Sequence, residues 1–220
     1  SRLEASTKLL VLVKANAYGH GAVEFASLME EAGADYLAVA LPVEGVELRE
    51  AGIKSPIMVL TAGTDFFNEI IDNELEPGIP NIYSLKALCD VLQKRGVKDF
   101  PIHIKLDTGM HRLGFMTEEL DELTEFLKDC SYVKVKSVYS HLAAADEPDS
   151  DDFTLGQIRL FKDNADRLSQ AVGYKPLYHI LNSAGIERFS DYQFDMVRLG
   201  IGIYGVSAIP GNSLSPVASF

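Results

Sequence analysis

The 220-residue sequence predicts an α/β fold, a (β/α)8 TIM barrel. Three observations carry that expectation. Short apolar runs alternate with amphipathic stretches from one end of the chain to the other, there are eight such units, and no long linker or low-complexity segment interrupts them. A doubly wound open sheet is the structural competitor, but it requires a helix-flanked switch point and usually has fewer strands.

The first unit opens on KLLVLVKANAYGHG, residues 8–21. A strand is predicted at 9–14, and Leu9 to Val13 reads as buried on both faces, as in a parallel sheet covered by helices. Lys14 ends it. Further strands are expected at 36–41, 56–61, 75–79, 101–107, 134–141, 177–182 and 196–202. The helix expected at 21–32 places Phe25, Leu28 and Met29 on one face, and others follow at 42–51 and 66–73. Ser84 reads as the cap of a helix at 84–95 that buries Leu85, Leu88, Cys89 and Leu92. Thr117 reads as the next cap, with Glu118 and Glu119 in the first turn and a stripe of Leu120, Leu123, Phe126 and Leu127. Ile158, Phe161, Ala165, Leu168 and Val172, spaced by three and four, mark the longest helix. The eighth unit has the least helix after it. Residues 1–206 are therefore assigned to the barrel, and 207–220, with Pro210, Gly211 and Pro216, to the start of a linker. Residues 1–7 read as the tail of a preceding helix.

A hydrophobic content of 47% and a charged content of 24% are ordinary for a globular chain. The net charge of −12, without a Lys/Arg cluster, argues against a nucleic-acid partner. No run approaches membrane-spanning length and the first residues lack the layout of a secretion signal, so a cytoplasmic protein with no membrane partner is expected. Cys89 and Cys130 fall in helix-like stretches without metal-ligand spacing and read as buried thiols in a reducing compartment. The acidic run 146–152 lacks the glycine and terminal glutamate of a calcium hand and reads as a solvated loop. No metal site is assigned.

Barrels of parallel strands carry their chemistry at the strands' carboxyl ends. Taken alone, Lys14 reads first as a lysine snorkelling out of the sheet. Half-buried at a barrel mouth, however, it loses hydration of its ammonium form and becomes a nucleophile or Schiff-base amine. On the fifth strand Ile102, Ile104 and Leu106 alternate with His103, Lys105 and Asp107, so the polar set points inward. The residues after it deliver Arg112 to the rim. Strand six ends at Tyr139 and His141, seven at Asn182-Ser183-Ala184-Gly185, and eight at Arg198-Leu199-Gly200-Ile201-Gly202. The loops after strands seven and eight are where barrels often bind phosphate, through backbone amides and a short helix N-terminus. An amine on strand one beside such a cradle fits pyridoxal 5'-phosphate, while a phosphosugar enzyme with a catalytic lysine fits the same residues. His103 reads as an inward-facing core residue, His20 and His111 as loop residues at the mouth, and His179 as structural or functional in equal measure. Tyr174, Tyr178 and Tyr192 read as packing.

KANAYGHG (14–21), HIKLDTGMHRLGF (103–115), SHLAAAD (140–146), NSAG (182–185) and RLGIGIYG (198–205) together resemble the pyridoxal-phosphate barrel domain of the alanine racemases, in that family's order and spacing. The resemblance implies that Lys14 holds the cofactor as a Schiff base and serves as base for one face of the substrate. It implies that Tyr18, Ser183, Gly200 and Ile201 bind the phosphate, the last two through the backbone, with Asn182 behind them. Arg198 is expected to donate to the pyridine nitrogen with His141 behind it. Arg112 is expected near the phenolic oxygen and substrate carboxylate. Lys105 matches a position the family often carbamylates, and the carbamate is expected to orient Arg112. In the family the opposite-face acid is a tyrosine on the partner subunit's C-terminal β-domain, which this chain does not include. The implied activity is interconversion of L- and D-alanine for bacterial cell-wall peptidoglycan, in a homodimer of the full-length enzyme or as one module of a fusion, with the fragment alone inactive. The rivals are a non-catalytic pyridoxal-phosphate carrier on a similar barrel, which lacks the first two blocks, and a racemase of serine or lysine.

Overall fold

A computed structural model describes residues 3–209, Gly211 and Leu214. Eight strands run parallel: β1 (Lys8–Leu12), β2 (Tyr36–Val39), β3 (Ile57–Val59), β4 (Glu76–Ile79), β5 (Phe100–Lys105), β6 (Val133–Tyr139), β7 (Leu177–His179) and β8 (Met196–Leu199). Their order, β7-β6-β5-β4-β3-β2-β1-β8, is that of a barrel opened at one seam. The seam is bridged by two backbone bonds, Asp195 N–H to Tyr178 O at 3.1 Å and Arg198 N–H to Leu181 O at 3.0 Å. The eightfold α/β reading therefore holds. Each strand is shorter than its predicted run, and in all but β4 the final residues of the run leave the ladder at the carboxyl end.

The helices are α1 (Lys14–Gly19), α2 (Ala22–Glu31), α3 (Pro42–Glu50), α4 (Phe67–Asp72), α5 (Ile82–Arg95), α6 (Leu120–Asp129), α7 (Asp151–Val172) and α8 (Ser183–Arg188). Four local expectations change. Leu28 is exposed, and α2 instead buries Ala22 and Ala26, whose small side chains let the helix lie close to the sheet. The cap of α5 is Asn81, whose Oδ1 accepts from Ser84 N–H at 2.8 Å, so the helix starts before Ser84. Thr117 opens a 3-10 turn (Thr117–Glu119) ahead of α6, and there the Glu119 carboxylate accepts from Met116 N–H at 2.7 Å. Residues 3–7 form turns rather than a helix tail, while Pro210 and Pro216 lie outside the described residues.

The packing has two compartments. Outward-facing Val11, Leu37, Ile57, Ile79, Ile102, Ile104 and Val138 meet the helices in the main core. Inside the barrel, strands β1–β3 and β8 contribute Leu10, Leu12, Tyr36, Ala38, Met58 and Met196. Strands β4–β8 contribute the buried polar set Glu76, His103, Lys105, Ser137, His179 and Arg198. A bulge makes this possible. Ile102 pairs with Val135 but His103 pairs with Ser137, so one extra residue in β6 turns Ser137 inward between outward-facing Val135 and Val138.

Among the described residues no helix is long and apolar enough to cross a membrane. Cys89 of α5 and Cys130, which caps α6, bring their sulfurs to 3.3 Å. The sequence had placed them on separate helices without relating them. Tyr178 donates to Ala165 O at 2.8 Å and Tyr174 accepts from Val135 N–H at 2.9 Å, both as packing residues.

Candidate active site

Beyond β1 the chain makes the least expected turn in the molecule. Ala15, Asn16, Ala17 and Tyr18 take left-handed φ of 52°, 53°, 51° and 56°. None is glycine, and each such residue costs roughly 1–2 kcal/mol. Hydrogen bonds hold the turn: Glu44 Oε1 accepts from Ala15 N–H at 2.6 Å and Asn16 Oδ1 from Ala22 N–H at 2.8 Å. The turn carries Lys14, half-buried, and Tyr18 into a cavity of about 640 Å³ at the carboxyl ends of the strands.

One wall of the cavity is built from small groups. Ser183, the first residue of α8, accepts at Oγ from Gly200 N–H (3.0 Å) and Gly202 N–H (3.2 Å). Asn182 caps α8, its Oδ1 accepting from Gly185 N–H at 2.9 Å and its Nδ2 donating to Leu142 O at 3.3 Å. A Cβ added at Gly200 would lie 2.9 Å from the Tyr18 hydroxyl. Ile201 begins a 3-10 turn (Ile201–Tyr204) whose Tyr204 ring lies 5.4 Å from that of Tyr18 and 4.4 Å from that of His20. Burial pushes the Tyr18 hydroxyl pKa up, so it stays a donor at neutral pH.

The other wall is cationic. Arg198 is buried and donates to Ser140 O (2.5 Å), Ile180 O (3.0 Å) and His179 O (3.1 Å). Burial lowers its pKa to about 10, which still leaves it charged at neutral pH. His141 lies on its cavity side, Nδ1 at 3.4 Å from Nη2. Burial and the charges of Arg198, Lys105, Arg112 and Lys14 lower the His141 pKa to about 3, so it is neutral. Lys105 points inward as its parity requires; burial, then Arg112 and Arg198, lower its pKa to about 8. Arg112 is exposed at the rim.

Thus Lys14, Tyr18, Lys105, Arg112, His141, Asn182, Ser183, Arg198, Gly200 and Ile201, all singled out from the sequence, face one cavity. Four neighbours were given no role by the sequence. His179, fully buried, stands directly behind Arg198 with Nδ1 at 3.0 Å from Nη1, closer than His141. Tyr139 lines the cavity with a buried hydroxyl that has no partner among the described residues. Thr61 and Asp146 complete the rim, the latter drawn from a run read as merely solvated. Only the polar character at the end of strand six hinted at Tyr139. Among the described residues no cluster of three or more His, Cys, Asp or Glu is arranged to hold a metal.

Fold and cavity define a (β/α)8 barrel domain with a polar, cationic cavity at the carboxyl ends of its strands. It offers an amine, a gap beside Tyr18 that one Cβ would fill, and a charged donor with no proton to spare. The family model "Alanine racemase, N-terminal domain" matches residues 1–208. Alanine racemase of Synechocystis sp. is 39% identical over 206 residues, covering 93% of this chain and 55% of that protein. Alanine racemase 1 of Oceanobacillus iheyensis is 36% identical over 222 residues, covering 100% and 58%. The structure of Clostridium difficile alanine racemase in complex with cycloserine superposes with a TM-score of 0.88 at 35% identity, over 97% of this chain and 58% of that one. The chain therefore belongs to the alanine racemase N-terminal domain family. It spans 55% and 58% of the length of those two sequence relatives.

Proposed function

We propose that this chain is the cofactor-binding barrel of an alanine racemase, acting with pyridoxal 5'-phosphate on L- and D-alanine to supply D-alanine for peptidoglycan. The observation that carries the reading is the shared cavity: the Lys14 amine and the Ser183–Gly200 wall open onto one space. In this reading Tyr18, Ser183 and the backbone of Gly200 and Ile201 hold the phosphate, supported by Asn182. Lys14 is the covalent anchor and moves the proton at one face of the substrate Cα. The cofactor, when bound, acidifies that Cα–H bond by withdrawing electrons. Arg198 would donate a hydrogen bond to the ring nitrogen while keeping its proton, because its pKa stays well above neutrality. Because Arg198 keeps its proton, electron withdrawal by a bound cofactor would be limited, which would favour return of the proton to Cα over transamination. Arg112 orients the substrate carboxylate at the rim, and a carbamate on Lys105 holds Arg112 in place. An acid for the opposite face comes from beyond the barrel, on the partner subunit of a homodimer.

The test uses the full-length protein. Wild type is expected to give visible absorbance with pyridoxal phosphate, a borohydride-fixed adduct on Lys14, and exchange of the alanine Cα hydrogen in heavy water with loss of optical activity. Lys14→Ala is expected to lose all three. An adduct mapped to another lysine, or exchange that survives Lys14→Ala, would refute the assignment. Serine and lysine, run in parallel, decide the substrate.

A further inference from the structure

The hydrogen bonds given above for Arg198 go to carbonyl oxygens and imidazole nitrogens, and none goes to a carboxylate. For a guanidinium buried to 5% exposure this is unusual, since buried charges are normally paired. The barrel interior supplies an indirect partner. His179 Nδ1 meets Arg198 Nη1 at 3.0 Å, and His179 Nε2 meets Ser137 Oγ at 2.8 Å. Ser137 Oγ lies 2.6 Å from His103 Nδ1, and His103 Nε2 lies 2.9 Å from Glu76 Oε2. His103, Ser137 and His179 are each 0% exposed, so water does not compete for these contacts.

Donor rules give the chain one direction. Arginine only donates, so His179 Nδ1 accepts and its hydrogen sits on Nε2. That hydrogen goes to Ser137 Oγ, which leaves the serine hydroxyl to donate to His103 Nδ1. The remaining hydrogen of His103 is then on Nε2 and points at the Glu76 carboxylate, which accepts. Both ends impose the same polarity, and no group in between is left with two donors or two acceptors facing each other.

We propose that Glu76, His103 and Ser137 are positioning residues for Arg198, acting through His179 as a one-way relay that couples the carboxylate at the foot of the barrel to the guanidinium at its mouth. The relay keeps His179 a pure acceptor, which holds the Arg198 fork in place and offsets its charge without putting an acid in the cavity. An acid beside Arg198 would repel an anionic ligand. Glu76, on the first residue of β4, is far enough down the barrel to avoid that. The consequence for the cofactor rests on the role proposed above for Arg198; the relay itself does not.

The test is the tautomer state, read by long-range 1H–15N correlation on histidine-labelled protein. His103 and His179 are both expected to carry hydrogen on Nε2 alone at neutral pH. A hydrogen on Nδ1 of either residue overturns the relay. Glu76→Gln, nearly isosteric, is expected to move the 15N resonances of His179 and of the Arg198 side chain, several links away, and to weaken pyridoxal phosphate binding about fivefold. His179 resonances unmoved by Glu76→Gln also overturn it. The expected tautomers in a protein that takes up no pyridoxal phosphate support the relay and refute the proposed function. Reversed tautomers in a protein that binds the cofactor normally refute the relay alone.

Discussion

The hydroxyl oxygen of Ser183 accepts the N–H of Gly200 at 3.0 Å, and this bond ties the end of the seventh unit to that of the eighth. It brings the Gly200 α-carbon so near Tyr18 that only a hydrogen fits between them.

Gly200→Ala should therefore damage the cradle while sparing the barrel. Its φ is −108°, so the conflict is with the Tyr18 hydroxyl and not with left-handed backbone. Displacing that donor should cost about 1–3 kcal/mol of binding, or roughly 5- to 150-fold in affinity for pyridoxal phosphate. Fluorescence titration measures the loss, and an unchanged thermal midpoint shows that the fold is intact.

Lys105 should form a carbamate in a pH-dependent way. Its folded pKa is about 8, against an ordinary lysine value near 10.4 in the unfolded chain. The free amine adds to carbon dioxide, giving a carbamate and one released proton, so at fixed carbon dioxide pressure the adduct rises as pH climbs through about 8. A 13C resonance from labelled carbon dioxide, absent in Lys105→Met, reports it. The sign for stability is the same. Between about 8 and 10.4 the unfolded chain binds more protons than the folded one, so this group's contribution favours folding increasingly with pH.

Ala15→Gly should stabilise the protein, the reverse of the usual outcome. Ala15 is exposed, so no packing is lost. Relief of left-handed strain, roughly 1–2 kcal/mol, outweighs the added chain entropy of glycine, roughly 0.5–1 kcal/mol. Chemical denaturation should show a higher midpoint at an unchanged slope, and a lower midpoint would contradict the account.

Much of this was legible in the sequence because it lay in periodic patterns. Alternation along residues 102–107 placed His103 and Lys105 inside, and the eight apolar runs marked the barrel. What could not be read lay where periodicity breaks. The left-handed turn has no repeat to detect, only Asn16 and two glycines nearby. The bulge in β6 reverses parity, so Ser137 could not be assigned to the interior by counting from Val133. Glu76 precedes a proline and a glycine in an unremarkable run, and only the closed sheet brings it to His103. His179 was ambiguous because its neighbour on the next strand decides its role. Placing Phe25, Leu28 and Met29 on one face does not bury Leu28, because the close helix–sheet approach is made through Ala22 and Ala26.

The cavity wall also sets how a ligand arrives. Lys14, Lys105, Arg112 and Arg198 line the cavity with Asp146, the single carboxylate among the described lining residues, on a chain whose net charge is −12. A dianion approaching from afar meets repulsion and meets attraction only within the last few ångströms. Added salt, with a screening length of about 10 Å at 0.1 M, should weaken the first more than the second. Stopped-flow association of pyridoxal phosphate should thus quicken with moderate salt, where a uniformly basic entrance would slow it.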